Sequence, residues 1–130
     1  MTAYDDLMAF TRDTVALGEI AGRLGWDQET VMPRGSADQR GEEMAAIESV
    51  LHARRTDPRV GDWLETAEAP DEVGAAQLRE IRRVYDRTMK IPASLATKLA
   101  QVTSVAQGKW AAARAAEDIA AFLPVLQEVV

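Results

Sequence analysis

The chain has no cysteine and a single histidine, His52. The first absence excludes disulfides, thiol catalysis and thiolate metal sites. The second excludes a two-histidine zinc site built from this chain alone. No apolar run approaches the roughly 20 residues needed to span a bilayer, and no segment alternates like a strand with β-branched residues. The N-terminus, MTAYDDLMAF, carries two acids where a signal peptide would carry a basic region. An excess of basic charge is also missing. The net charge is −6 and the pI about 4.8, which argues against general nucleic-acid binding and against anionic membranes. The cytoplasm is the compartment these absences fit.

What is present is one domain's worth of chain. It has 130 residues, 47% apolar and 28% charged, enough for a core and too apolar for disorder. The periodicity is helical throughout and predicts an all-α fold, a bundle of about five to six helices. The first helix is expected from about Tyr4 to Leu24, with Tyr4, Leu7, Met8, Val15, Ile20 and Leu24 on its apolar stripe. Gly18 and Gly22 inside it would each cost roughly 1 kcal/mol against Ala. Close approach of another helix would compensate.

A loop is expected from Leu24 to about Gly35, followed by a capping box at Ser36-Ala37-Asp38-Gln39. The second helix should run from about Ala37 to Arg55, burying Met44, Ile47, Val50 and Leu51. Asp57-Pro58 reads as an N-cap followed by proline at the first helical position. It opens a short third helix with Val60, Trp63, Leu64 and Ala67. Pro70-Asp71-Glu72 opens a fourth, carrying Val73, Leu78, Ile81, Val84 or Tyr85, and Met89. Pro92 opens a fifth, reaching about Ala116, whose face is Leu95, Leu99, Val102, Ala106, Trp110 and Ala113. Asp118 caps a turn with Ile119 and Phe122, and Pro124 starts a last helix with Val125, Leu126 and Val129. That helix shows no stop signal by Val130, so the chain is expected to be the N-terminal part of something longer.

The chemistry-bearing residues mostly read as structural. His52, late in the second helix, suits the negative end of the helix dipole. Asp38, Glu42, Glu43 and Glu48 read as a solvated face, although paired carboxylates can serve acid–base chemistry or hard cations. Arg79, Arg82, Arg83 and Arg87 interleave with Glu80 and Asp86. The spacing predicts Arg83–Glu80, Arg82–Asp86 and Asp86–Lys90 pairs on an exposed face, with an acidic partner as the rival reading. Trp63 and Trp110 fall on apolar faces and read as core. Trp26 stands apart, in LGWDQETVMP. Asp27 and Thr30 there could hold a structural turn, or Trp26, Asp27, Gln28 and Thr30 could line a cleft. The residues alone leave both readings open.

The segment LGWDQETVMPRGSADQRGEEMAAI, from Leu24 to Ile47, resembles the N-terminal region of the carboxypeptidase Taq (M32) metallocarboxypeptidases. W-D-Q-E-T-x-M-P is its most specific element. LHARRTDPRVGDWL, LREIRRVYDR, the Ile91-Pro92 opening and DIAAFLPVLQEVV follow in similar order, so the resemblance covers essentially the whole chain. It implies a helical zinc enzyme with a deep groove, removing C-terminal residues from peptides and usually homodimeric. It also implies that Trp26, Asp27, Gln28 and Thr30 lie near the substrate groove. The family holds zinc with H-E-x-x-H and a downstream Glu, a motif absent here. No catalytic or metal-ligating residue is therefore expected in these 130 residues, which should be inactive alone and bind no zinc. The alternatives are a stand-alone helical interaction or dimerisation module, and an unrelated bundle with a structural Trp corner.

Overall fold

A computed structural model describes all 130 residues. Six α-helices follow in order: α1 (Ala3–Thr30), α2 (Ala37–Arg55), α3 (Pro58–Thr66), α4 (Glu72–Thr88), α5 (Ala93–Ala115) and α6 (Ile119–Val129). A 3₁₀ turn, Arg34–Ser36, joins α1 to α2. There is no strand, and no helix is long and apolar enough to cross a membrane.

Local signals fix most helix starts. Asp57 accepts from the amide of Arg59 with Pro58 at the first position of α3, and Asp71 accepts from the amide of Gly74 at the head of α4. Thr2 and Asp5 form a reciprocal capping box at the start of α1. The box expected at Ser36 is not formed. Ser36 has φ −94° and ψ 4°, whereas an N-cap side chain reaches back only from extended backbone; the 3₁₀ turn runs straight into α2.

The expected Leu24–Gly35 loop is corrected most. Helix α1 continues to Thr30, and the chain leaves it only before Pro33, which disfavours helical backbone at Met32. At the other end, the expected turn and separate helix are one helix, α6, with Pro124 inside it. Asp118 caps it by accepting from Ala121.

The core lies where α1, α3 and α4 meet. Leu7, Val60 and Leu64 are buried, and Met8, Phe10, Trp63, Leu78, Ile81 and Tyr85 pack around them. The most extensive helix pair is α2 with α5, and small residues make it possible. A Cβ on Gly41 would stand 2.8 Å from a methyl of Val105. The close approach expected at Gly18 and Gly22 does not occur: Gly18 meets only the end of Arg55, and Gly22 has open space beside it.

Burial is otherwise sparse, with ten of 130 residues buried. Val15, Ile20, Val50, Leu95, Leu99 and Trp110, expected inside, are all at least two-fifths exposed. Helices α2 and α5 bury smaller residues, Gly41 on α2 and Ser104, Ala106 and Ala113 on α5. His52 is structural: its buried ring shares a hydrogen bond of 2.7 Å with the carbonyl of Ile91. On α4, Arg83 pairs with Glu80 at 2.7 Å as expected. Arg82 does not pair with Asp86, nor Asp86 with Lys90; Arg82 crosses to α3 and meets Glu65 at 3.0 Å and the Leu64 carbonyl at 2.8 Å.

Candidate functional site

Trp26, Asp27, Gln28 and Thr30 all sit on the last two turns of α1, so successive side chains point in different directions. Asp27 turns toward α2. Arg40, whose side chain is 11% exposed, donates to Asp27 at 2.6 Å, to the Leu24 carbonyl at 2.6 Å and to Glu43 at 2.8 Å. The hydrogen bond to Asp27, then that to Glu43, raise the Arg40 pKa, so the guanidinium stays charged at any working pH. Asp27 is therefore held as a counter-ion and is poorly placed to act as a free base.

Gln28 turns toward α5. Its amide nitrogen donates to the Ser104 carbonyl at 2.6 Å, and the Ser104 hydroxyl donates back to the amide oxygen at 2.9 Å. Both ends of the amide are used, as a half-buried amide requires. Thr30 donates to the Trp26 carbonyl at 2.7 Å, a bond to the preceding turn common for helical threonine. Trp26 alone is free. It is 65% exposed, far outside the usual range for so large an apolar side chain.

The four predicted residues thus share a helix end without converging on one cleft. Two are anchors, one closes its own turn, and one displays an indole. Arg40 and Ser104, which do the anchoring, escape sequence reasoning. Arg40 shows only its short-range spacing from Glu43, and Ser104 only a lone hydroxyl on an alanine-rich helix.

Two concavities lie elsewhere. One, about 560 Å³, runs between α1, α2, α3 and α4 over Phe10, Val15, Ile81 and Tyr85. Arg54 on its wall is fully engaged, donating to Thr14 and to the Phe10 carbonyl at 2.9 Å each and lying 4.0 Å above the Phe10 ring. The other, about 630 Å³, lies at the α5–α6 corner. No three His, Cys, Asp or Glu side chains come together as a metal site would need.

Residues 6–130 match the profile of the family described as Carboxypeptidase Taq (M32) metallopeptidase. Thermostable carboxypeptidase 1 of Thermus thermophilus is 40% identical over 133 residues, covering 98% of this chain and 26% of that protein. Thermostable carboxypeptidase 1 of Pyrococcus furiosus is 27% identical over 128 residues, covering 95% of this chain and again 26% of the relative. The chain spans about a quarter of the length of these relatives.

Proposed function

The chain belongs to the carboxypeptidase Taq (M32) metallopeptidase family, and from that premise we propose that it forms the N-terminal, groove-wall or lid side of a zinc carboxypeptidase. The whole enzyme would release C-terminal residues from peptides in the cytoplasm, as a homo-oligomer with no nucleic-acid or membrane partner. The observation that carries this reading is the match over residues 6–130 within only 26% of each relative's length. The residues present do not fit a zinc ion: there is one histidine, and no acids gather near it as ligands. On this reading zinc and the catalytic groups would come from a portion of the enzyme outside these 130 residues, and the expectation is that this chain alone is inert.

Within that reading, Trp26 offers its exposed ring to the peptide. Asp27, Gln28 and Thr30 hold the turn that presents it. An indole fixed on an anchored helix end loses little side-chain freedom on binding, which favours its use as a contact.

Two assays test this. The chain alone, with zinc added, should release no amino acid from a blocked dipeptide and should bind zinc no better than any acidic surface does. Tight stoichiometric zinc binding or activity would overturn the assignment. Substituted for the matched quarter of the Thermus relative, the chain should support peptidase activity. In that chimera, Trp26→Ala should raise KM severalfold with kcat and Tm little changed. An unchanged KM would remove Trp26 from the groove.

A further inference from the structure

Helices α1 and α4 do not close on each other. Tyr4 ties them at one end by donating to Gln77 at 2.6 Å, and α3 packs against both, but apart from that bond the two make little direct contact. Between them lies the concavity of about 560 Å³, with Val15, Ile81 and Val84 in its apolar lining. Val15 and Val84 are exposed there, so the floor is apolar and open. Its volume is in the range of small-molecule sites.

The charges around it are not matched to one another. Arg40, Arg54, Arg55 and Arg82 are the arginines that the fold partly buries. Arg40, Arg54 and Arg82 each donate hydrogen bonds within the chain. Arg55 is the exception. Its guanidinium makes no hydrogen bond, and its one ion pair, with Glu48, is 3.9 Å long, beyond hydrogen-bond range. Its side chain is nonetheless only 34% exposed. A guanidinium carries its N–H donors in a fork that fits a carboxylate, so an arginine partly withdrawn from water with those donors unused lacks an acceptor.

Gly18 marks where that fork stands. The Arg55 Nη2 lies 4.0 Å from the point that a Cβ on Gly18 would occupy. Glu19 follows Gly18 in the chain, lines the same concavity, is exposed and forms no ion pair. The other carboxylate on the wall, Glu80, is taken by Arg83 at 2.7 Å. The Gly18 end of an apolar concavity thus carries a base with unused donors and an acid with no partner, and the two do not pair with each other.

We propose that this concavity is a binding site for a free α-amino acid with a large apolar side chain. The ligand's carboxylate accepts from the Arg55 fork, its ammonium faces Glu19, and its side chain lies on Val15, Ile81 and Val84. The charge pattern selects this occupant. A base and an acid held apart over one apolar floor complement a zwitterion with an apolar body. A fatty acid would leave Glu19 unmatched, and an apolar amine would leave Arg55 unmatched. Gly18 acquires a purpose as well, since a side chain larger than that of alanine would intrude on the head group. The ligand class follows from the residues of the concavity. The proposed peptidase reading supplies only a source, because release of C-terminal residues produces free amino acids.

Isothermal titration of the 130-residue chain with L-phenylalanine tests the site, with far-UV helicity recorded for every variant. The expected result is saturable binding with a Kd of about 1 mM or tighter. Arg55→Gln should weaken it about tenfold or more, as loss of a charge-assisted pair does. Val15→Glu, at an exposed position on the floor, should weaken it similarly. Val73→Glu, on the exposed side of α4, should leave it unchanged. N-acetyl-phenylalanine lacks the ammonium and should bind wild type more weakly than phenylalanine does; Glu19→Gln should erase that difference. Absence of phenylalanine binding at about 10 mM would overturn the inference. Binding that Arg55→Gln leaves intact would overturn the location. Octanoate or N-acetyl-phenylalanine bound as tightly as phenylalanine would overturn the amino-acid assignment. None of these results bears on the peptidase reading, which the zinc and chimera assays test separately.

Discussion

Arg40 on α2 holds Asp27 on α1 at 2.6 Å and, with the same guanidinium, the Leu24 carbonyl at 2.6 Å. Helix α1 has no basic residue in its last turn. Arg40 brings the missing positive charge from the neighbouring helix to the negative end of the α1 dipole. The last two turns of α1, which carry the W-D-Q-E-T stretch, are helical in part because of it.

Arg40→Met should therefore lower stability by about 1–3 kcal/mol, since it leaves a part-buried carboxylate and a carbonyl without their charged donor. Arg40→Lys should recover only part, because an ammonium cannot serve three acceptors in the plane of a fork. Asp27→Ala should cost less than Arg40→Met, because Glu43 and the Leu24 carbonyl remain as partners. Urea unfolding of the three variants checks the order. Equal stability of Arg40→Met and wild type would show that the α1 terminus holds itself.

Two glycines should respond in opposite directions to alanine. Gly22 lies in a helix with open space beside it, so Gly22→Ala should stabilise by about 0.5–1 kcal/mol through backbone entropy alone. A Cβ on Gly41 would meet the Val105 methyl at 2.8 Å and the Gln101 backbone oxygen at 3.5 Å. Val105 is stiff at χ1, so overpacking should outweigh the propensity gain and cost about 1–2 kcal/mol net. Thermal unfolding of both variants reads the sign directly.

Acid should weaken the head of α3. The side-chain hydrogen bonds from Arg59, then its backbone amide, hold the Asp57 carboxyl below the ordinary aspartate value of 3.8. A carboxyl whose folded pKa is depressed contributes stability that is complete above its unfolded value and is lost as pH falls through the folded one. Asp57→Asn keeps a capping oxygen and loses the charge. Its Tm should lie below wild type at pH 7, and the gap should close below about pH 4. Asp5, also lowered, by the Thr2 backbone and then the Thr2 side chain, adds to the wild-type slope over the same range. A Tm gap that persists unchanged into acid would rule out the charge as its source.

The boundaries legible in the sequence were those set by neighbours along the chain. The α2 limits, the Asp57-Pro58 and Asp71 starts, and the Pro92 start agree with the structure, because capping and proline act within a turn of where they stand. The end of α1 was not legible. Its holders, Arg40 and Ser104, lie 13 and 76 residues from the side chains they bind. The expected burial of Trp110, Leu95 and Leu99 failed for a related reason. Periodicity shows that a helix has an apolar face; it does not show which helix arrives to cover it.

By itself, then, the sequence determined the all-helical class, most helix starts and the family. These depend on residue type and local spacing, which need no third dimension. The tertiary structure alone decided that Asp27 and Gln28 are anchors while Trp26 stands free. It also decided that the close helix contact falls at Gly41 and not at Gly18 or Gly22. On a helix, adjacent residues are turned about 100° apart, so the direction each faces has meaning only once the neighbouring helices are in place.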